Sequence, residues 1–171
     1  MALGLAHPAE VAGVVLLDGD ALPFGNGRTW LSDLLVYPYY PALFRLATSS
    51  DWFVGRVLGN AWGPHPPHFD HATLTQFERP FRVTGTAGGL KRLLAGAIPG
   101  VTLETMRGLH VPRAVVWGAE DTVDSRASGQ AAAIALHVRL QIIPHAGHLS
   151  MLANPDAVAH AIAAFTQVTA G

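Results

Sequence analysis

Two short stretches carry the side chains whose types and spacing could do chemistry. Val115-Val116-Trp117-Gly118-Ala119-Glu120-Asp121 ends in an acid just past an apolar run. Ile143-Pro144-His145-Ala146-Gly147-His148 ends in a histidine just past the next apolar run, 27 residues after Asp121. An acid and a histidine at neighbouring strand ends can meet in space. The carboxylate then fixes the imidazole tautomer and stabilises the imidazolium that forms during proton transfer.

Such a pair needs elements that bring both residues to one edge of a sheet. Val11 to Leu17 is short, β-branched and continuously apolar, and Pro112 to Trp117 and Arg139 to Ile143 are similar short, largely apolar runs, the pattern of strands buried on both faces of a parallel sheet. The carboxyl ends of such strands are where catalytic groups gather. Ser125 to Ala135 is Ala-rich, with Asp124 or Ser125 as its cap. A last helix opens on Asn154, Pro155 and Asp156 and repeats apolar residues at Val158, Ala161, Ile162, Phe165 and Val168, one face at helical spacing. Strand, loop and helix in alternation predict an α/β fold with a short parallel sheet flanked by helices.

Residues 21–108 read differently. Prolines and glycines break them into short helical pieces at Trp30–Val36, Pro41–Leu46, Trp52–Leu58, Ala72–Phe77, Leu90–Ala97 and Thr102–Arg107. This aromatic insertion is either a cap over a site at the strand ends or a helical subdomain with its own small core.

With these residues in hand, the chain resembles the C-terminal half of the α/β-hydrolase family. The resemblance rests on WGAED at the acid, on AGHLSMLANPDAVAHAIAAF at the histidine loop and final helix, and on HPAEVAGVVLLDGD near the start. It implies a partial α/β-hydrolase fold with a helical cap insertion. Residues 1–20 would be the end of the nucleophile helix and a core strand, 21–108 the cap, and 109–171 the C-terminal core carrying acid and histidine. It also implies that Asp121 is the triad acid and His148 the general base, in the family's order of nucleophile, acid, histidine. Asp18 is the competing acid, because some members place theirs after the preceding strand; Asp121 is preferred. His145 is expected to face solvent, and Glu120 and Asp124 to be surface or capping groups.

The nucleophile elbow G-x-S-x-G, which holds a serine on a strained turn between strand and helix, occurs nowhere in the chain. Ser32, Ser49, Ser50, Ser125, Ser128 and Ser150 all lie in other contexts. Met1 to Ala6 resembles the tail of the nucleophile helix. The expectation is therefore a truncated chain, or a start at an internal methionine, inactive by itself.

Other constellations carry less. His65, His68, Asp70 and His71 are metal-capable, yet their spacing matches no zinc pattern and the prolines stiffen the segment, so a plain loop is expected. Gly25-Asn26-Gly27 lacks the third glycine of a dinucleotide loop, where Trp30 stands, and Gly85 to Arg92 departs from the phosphate-loop pattern at Leu90 and Arg92. No cofactor and no metal are expected.

Composition narrows the classes. In 171 residues, 50% are hydrophobic and 13% charged, which excludes a disordered chain. Eleven basic against 12 acidic residues, a net charge of −1, argue against nucleic acid as a partner. No apolar run reaches the roughly 20 residues that span a bilayer, and Met1 to Pro8 lacks the basic start of a signal peptide. The chain has no cysteine, so thiol catalysis and disulfides are excluded; a cytoplasmic location is expected. The partner expected is a small apolar ester or related molecule, for an esterase-like hydrolase. Trp30, Tyr37, Tyr39, Tyr40, Trp52, Phe53 and Trp62 would line its pocket or form the core of the insertion. The alternative is a non-catalytic α/β fragment or binding module. An unpaired edge of the first strand also predicts self-association.

Overall fold

The computed structural model describes residues 1–19, 39–94 and 102–169. The chain divides into two compact units, one of Met1–Leu22, Asn60–Pro66 and Val101–Gly171, the other of Pro23–Gly59 and Pro67–Gly100.

The first unit is built on three parallel strands, β1 (Val14–Leu17), β2 (Arg113–Gly118) and β3 (Leu140–Ile143), in the order β1-β2-β3. Val14 pairs with Arg113 and Leu17 with Val116; Val115 pairs with Leu140 and Gly118 with Ile143. β1 and β3 lie inside their apolar runs, and β2 extends one residue past its run, to Gly118. The central strand explains why its run is apolar from Ala114 to Trp117 without alternation. Val115 and Trp117, both fully buried, join Met106, Leu109, Ala132, Ala133 and Leu136 on one face, whereas Val116 joins Ile143, Ala146 and Val158 on the other. At about 25 cal/mol per Å² of apolar surface removed from water, such two-sided burial is the main force holding the strand in place.

Helix α1 (Ala2–Ala6) precedes β1. Between β2 and β3 runs the helix Arg126–Ala135, and after β3 come the single turn Ser150–Ala153 and the long helix Pro155–Thr169. Asn154 caps the last of these: its Oδ1 accepts from the Ala157 amide at 3.3 Å, while its Nδ2 donates to the Pro144 carbonyl at 3.1 Å. Leu103–Arg107, opened by a capping box of Thr102 and Thr105, packs against Arg126–Ala135.

The second unit is helical. Numbered in chain order, its helices are α2 (Tyr40–Thr48), α3 (Asp51–Trp62, whose last three residues count with the sheet), α4 (His71–Arg82) and α5 (Thr86–Leu94). The later helices are then α6 (Leu103–Arg107), α7 (Arg126–Ala135), α8 (Ser150–Ala153) and α9 (Pro155–Thr169). Tyr40, Val54, Leu58 and Leu74 are buried, and Phe44 meets Phe81 edge-on with ring centres 5.6 Å apart. α2, α3 and α4 run longer than the pieces expected from sequence; α5 starts four residues before Leu90, and residues 95–97 of its expected span lie outside the described residues. Gly88 and Gly89, expected to open a helix at Leu90, lie inside it; a helix tolerates each at a cost of about 1 kcal/mol. The expected helix Trp30–Val36 and the Gly25–Gly27 motif lie outside the described residues.

Candidate active site

Asp121 stands three residues past the end of β2, and His148 five past the end of β3. Parallel pairing of these strands brings both to one edge of the sheet. There the two side chains meet: His148 Nδ1 lies 3.0 Å from Asp121 Oδ2. The other carboxylate oxygen, Oδ1, accepts from the amides of Val123 at 2.8 Å and Asp124 at 2.9 Å. The Asp121 carboxylate is fully covered, while the His148 side chain keeps 30% of its exposure. Since an ionised carboxylate only accepts, the proton belongs on Nδ1. Nε2, which has no hydrogen-bond partner among the described residues, is left with a lone pair.

The histidine loop is held mainly by backbone. Gly147 N donates to the Trp62 carbonyl at 2.7 Å and Leu149 N to the Ala61 carbonyl at 2.9 Å, so the last turn of α3 grips the residues on either side of His148. These are carbonyls that a helix end leaves without intrahelical partners. From β2, Ala119 N donates to the Ile143 carbonyl at 2.9 Å and Glu120 N to the Ala146 carbonyl at 3.0 Å. Two glycines permit this approach. A Cβ on Gly118 would stand 2.1 Å from the Gly147 carbonyl oxygen, and one on Gly147 would stand 2.7 Å from that of Ala61.

Three side chains have tasks that the sequence did not reveal. Glu120 Oε2 accepts from the Ala146 amide at 3.1 Å, tying the histidine loop to the acid loop; nothing in its local sequence marks this. Asp18 does not bond His148. Its Oδ1 accepts from Gly118 N at 2.7 Å, and its Oδ2 accepts from the amide and the hydroxyl of Ser150. A strand-end acid in an apolar context was the available signal for Asp18. Ser150, buried at the start of α8, donates its hydroxyl to that acid. Burial is the main cause that holds the Asp18 carboxyl above its ordinary range. The bonds from Ser150 and Gly118 oppose the rise, and the Asp121 charge adds to it.

His145 is exposed, with its ring centre 6.3 Å from that of His65. In the second unit, Asp70 caps α4 through the Thr73 amide at 2.8 Å, and His71 Nδ1 lies 2.7 Å from Asp51 Oδ2. Hydrogen bonds from Thr73 lower the Asp70 carboxyl, and Asp51 raises His71. Among the described residues no group of three or more His, Asp or Glu could hold a metal ion. Of the aromatic residues considered for a pocket, Tyr40 is buried whereas Tyr39 and Trp52 are largely exposed; Trp30 and Tyr37 lie outside the described residues. No helix among the described residues is long and apolar enough to cross a membrane.

A short parallel sheet between helices, with an acid and a histidine meeting past adjacent strands, defines a class that comparison identifies directly. The alpha/beta hydrolase family profile matches residues 1–161, and the chain belongs to that family. Among solved structures it is similar to Rv0554 from Mycobacterium tuberculosis, at 22% identity and a TM-score of 0.66, covering 98% of this chain and 60% of that one. It is similar to a membrane phospholipase A described as a bacterial virulence factor, at 18% identity and a TM-score of 0.70, covering 98% and 53%. A thermophilic esterase aligns at 19% identity and a TM-score of 0.64, covering 98% and 60%. The chain thus spans 53–60% of the length of these three structures. No curated protein matches it.

Proposed function

We propose that the chain carries the acid–base half of an esterase-like hydrolase, acting on a small apolar ester or a related substrate. The observation that carries this reading is the 3.0 Å contact between His148 Nδ1 and the covered Asp121 carboxylate, with the imidazole still partly open. In this role His148 Nε2 takes the proton of a nucleophilic hydroxyl as its oxygen attacks the ester carbonyl, then gives that proton to the departing alkoxide. In the second half it takes a proton from water as the water oxygen attacks the acyl-enzyme, and returns that proton to the nucleophile's oxygen as the acid is released. Asp121 keeps the proton on Nδ1 throughout and stabilises the imidazolium. Since no G-x-S-x-G occurs in the chain, the nucleophile is assigned to another segment of polypeptide. The names of the esterase and phospholipase A among the similar structures support ester chemistry. Substrate choice is assigned to the aromatic helical insertion, residues 21–108.

The missing elbow also favours a second reading, a non-catalytic α/β fragment or binding module. The coding sequence upstream of Met1 and a p-nitrophenyl ester assay separate the two. General-base help to water alone is worth roughly 10²–10⁴-fold, so the 171-residue chain is expected to show no turnover above background. With an in-frame upstream segment carrying G-x-S-x-G, hydrolysis should appear and be abolished by His148→Ala. An in-frame stop directly upstream supports the non-catalytic reading, and G-x-D in place of G-x-S would redirect the chemistry to an aspartate nucleophile.

A further inference from the structure

We propose that Asp18 is a positioning residue, a carboxylate clamp that fixes the spacing between the acid and histidine arms of the site. The proposal rests on the acid–base reading of Asp121 and His148, and it concerns how their geometry is kept. Asp18 lies directly past β1, with its backbone in the left-handed region at φ 45°, a conformation that Asp and Asn tolerate better than other non-glycine residues. Its own amide donates to the Val116 carbonyl at 3.1 Å, extending the parallel ladder by one step. That step places the carboxylate between two segments distant in sequence.

One oxygen, Oδ1, holds Gly118, three residues before Asp121. The other, Oδ2, holds Ser150 by both its amide and its hydroxyl, two residues after His148. A single buried side chain therefore grips the strand that leads to the acid and the turn that follows the base. The loop has further ties before and beside His148, through Glu120 Oε2, Trp62 O and Ala61 O. Asp18 secures its far side, at the first residue of α8.

The chemistry of the group fits a clamp better than a spare acid. Both of its oxygens are engaged, and it makes no bond to His148. A buried carboxylate costs free energy unless hydrogen bonds compensate, and here the compensating donors are Gly118 and Ser150 themselves. Removing the carboxylate leaves those buried donors without an acceptor. The far side of the histidine loop, at Ser150, is then free to shift while the strands and the ties through Ala119 and Glu120 stay in place.

Nuclear magnetic resonance on the 15N-labelled 171-residue chain tests this without any reference to turnover. In Asp18→Asn the amide oxygen can still accept from Gly118, but the NH₂ group cannot accept from the Ser150 amide. Exchange of the Gly147, Leu149 and Ser150 amides should accelerate by about tenfold or more, the scale of an orphaned buried donor. Exchange at Val115 and Val116 should stay unchanged. The His148 ring nitrogens should shift from the signature of a single Nδ1-protonated tautomer toward a mixture. Ala135→Gly, a core destabiliser remote from the clamp, is the control and should leave the His148 signature in place. Should Asp18→Asn fail to fold, Ser150→Ala, which removes only the hydroxyl, should move the same signals in the same direction by a smaller amount. Unchanged His148 and loop signals in the variant that folds, or equal changes in Ala135→Gly, would overturn the clamp. If the clamp holds but His148→Ala leaves ester hydrolysis intact in the complete protein, the catalytic reading fails and the positioning finding stands.

Discussion

At the scale of the residue, the Asp121 carboxylate serves three donors with two oxygens. Asp121→Ala orphans the Val123 and Asp124 amides and the imidazole together. At about 1–3 kcal/mol per unsatisfied buried group, a clear loss of stability in denaturant unfolding is expected. Asp121→Asn is the finer probe. Its oxygen can keep the two amides, but its NH₂ then faces Nδ1 and forces the ring proton onto Nε2. In serine proteases the matching change lowers kcat by roughly 10⁴-fold while leaving the geometry intact; a loss of similar order is expected in the complete protein, with the tautomer change visible by 15N spectroscopy. Asp18 gives a pH dependence of defined sign. Burial raises its folded-state pKa above the ordinary 3.8, so the native state holds this proton more tightly than the unfolded chain does. Stability from this group therefore falls as pH rises from about 3.8 through the raised value. Replacing Asp18 with Asn should flatten that part of a stability–pH curve, and an unaltered slope would contradict the assignment.

At the scale of the element, legibility followed burial and side-chain signature. β2 was readable because both its faces are covered, which makes Ala114 to Trp117 apolar without alternation. α9 was readable because Asn154 and Pro155 mark its start with side chains. α8, a single turn, has no period to read, and its key residue, Ser150, carries no sequence mark beyond being a serine outside an elbow. The grip of α3 on the histidine loop uses the carbonyls of Ala61 and Trp62, and a backbone carbonyl leaves no trace in sequence. The contact between Asp121 and His148 could be expected from strand order, whereas the bond from Glu120 to Ala146 depends on the path of a turn that no spacing encodes. The Gly118–Gly147 contact makes a direct prediction. Gly118→Ala puts a methyl against backbone, which cannot turn aside as a side chain can. The histidine loop must move, at roughly 1–3 kcal/mol. Thermal unfolding should show the loss, and the His148 ring resonances should change with it.

At the scale of the whole molecule, β1 pairs with β2 on one side, and among the described residues no strand pairs with its other side. Its four residues, Val14–Leu17, are half-buried and apolar, with no Lys or Pro to discourage an added strand. The 171-residue chain is expected to self-associate in size-exclusion chromatography with light scattering. A monodisperse monomer with one cooperative, thermally stable transition would count against this. The clamp has a consequence of another kind, in the order of synthesis. Asp18 and Ser150 stand 132 residues apart. At 5–20 residues per second, roughly 7–26 s separate the making of the acid from the making of the serine that binds it. For that interval the emerging polypeptide carries a carboxylate whose Ser150 donors do not yet exist. The strand-end site thus cannot assemble before Ser150 has been made, and a nascent chain stalled before that residue would lack it.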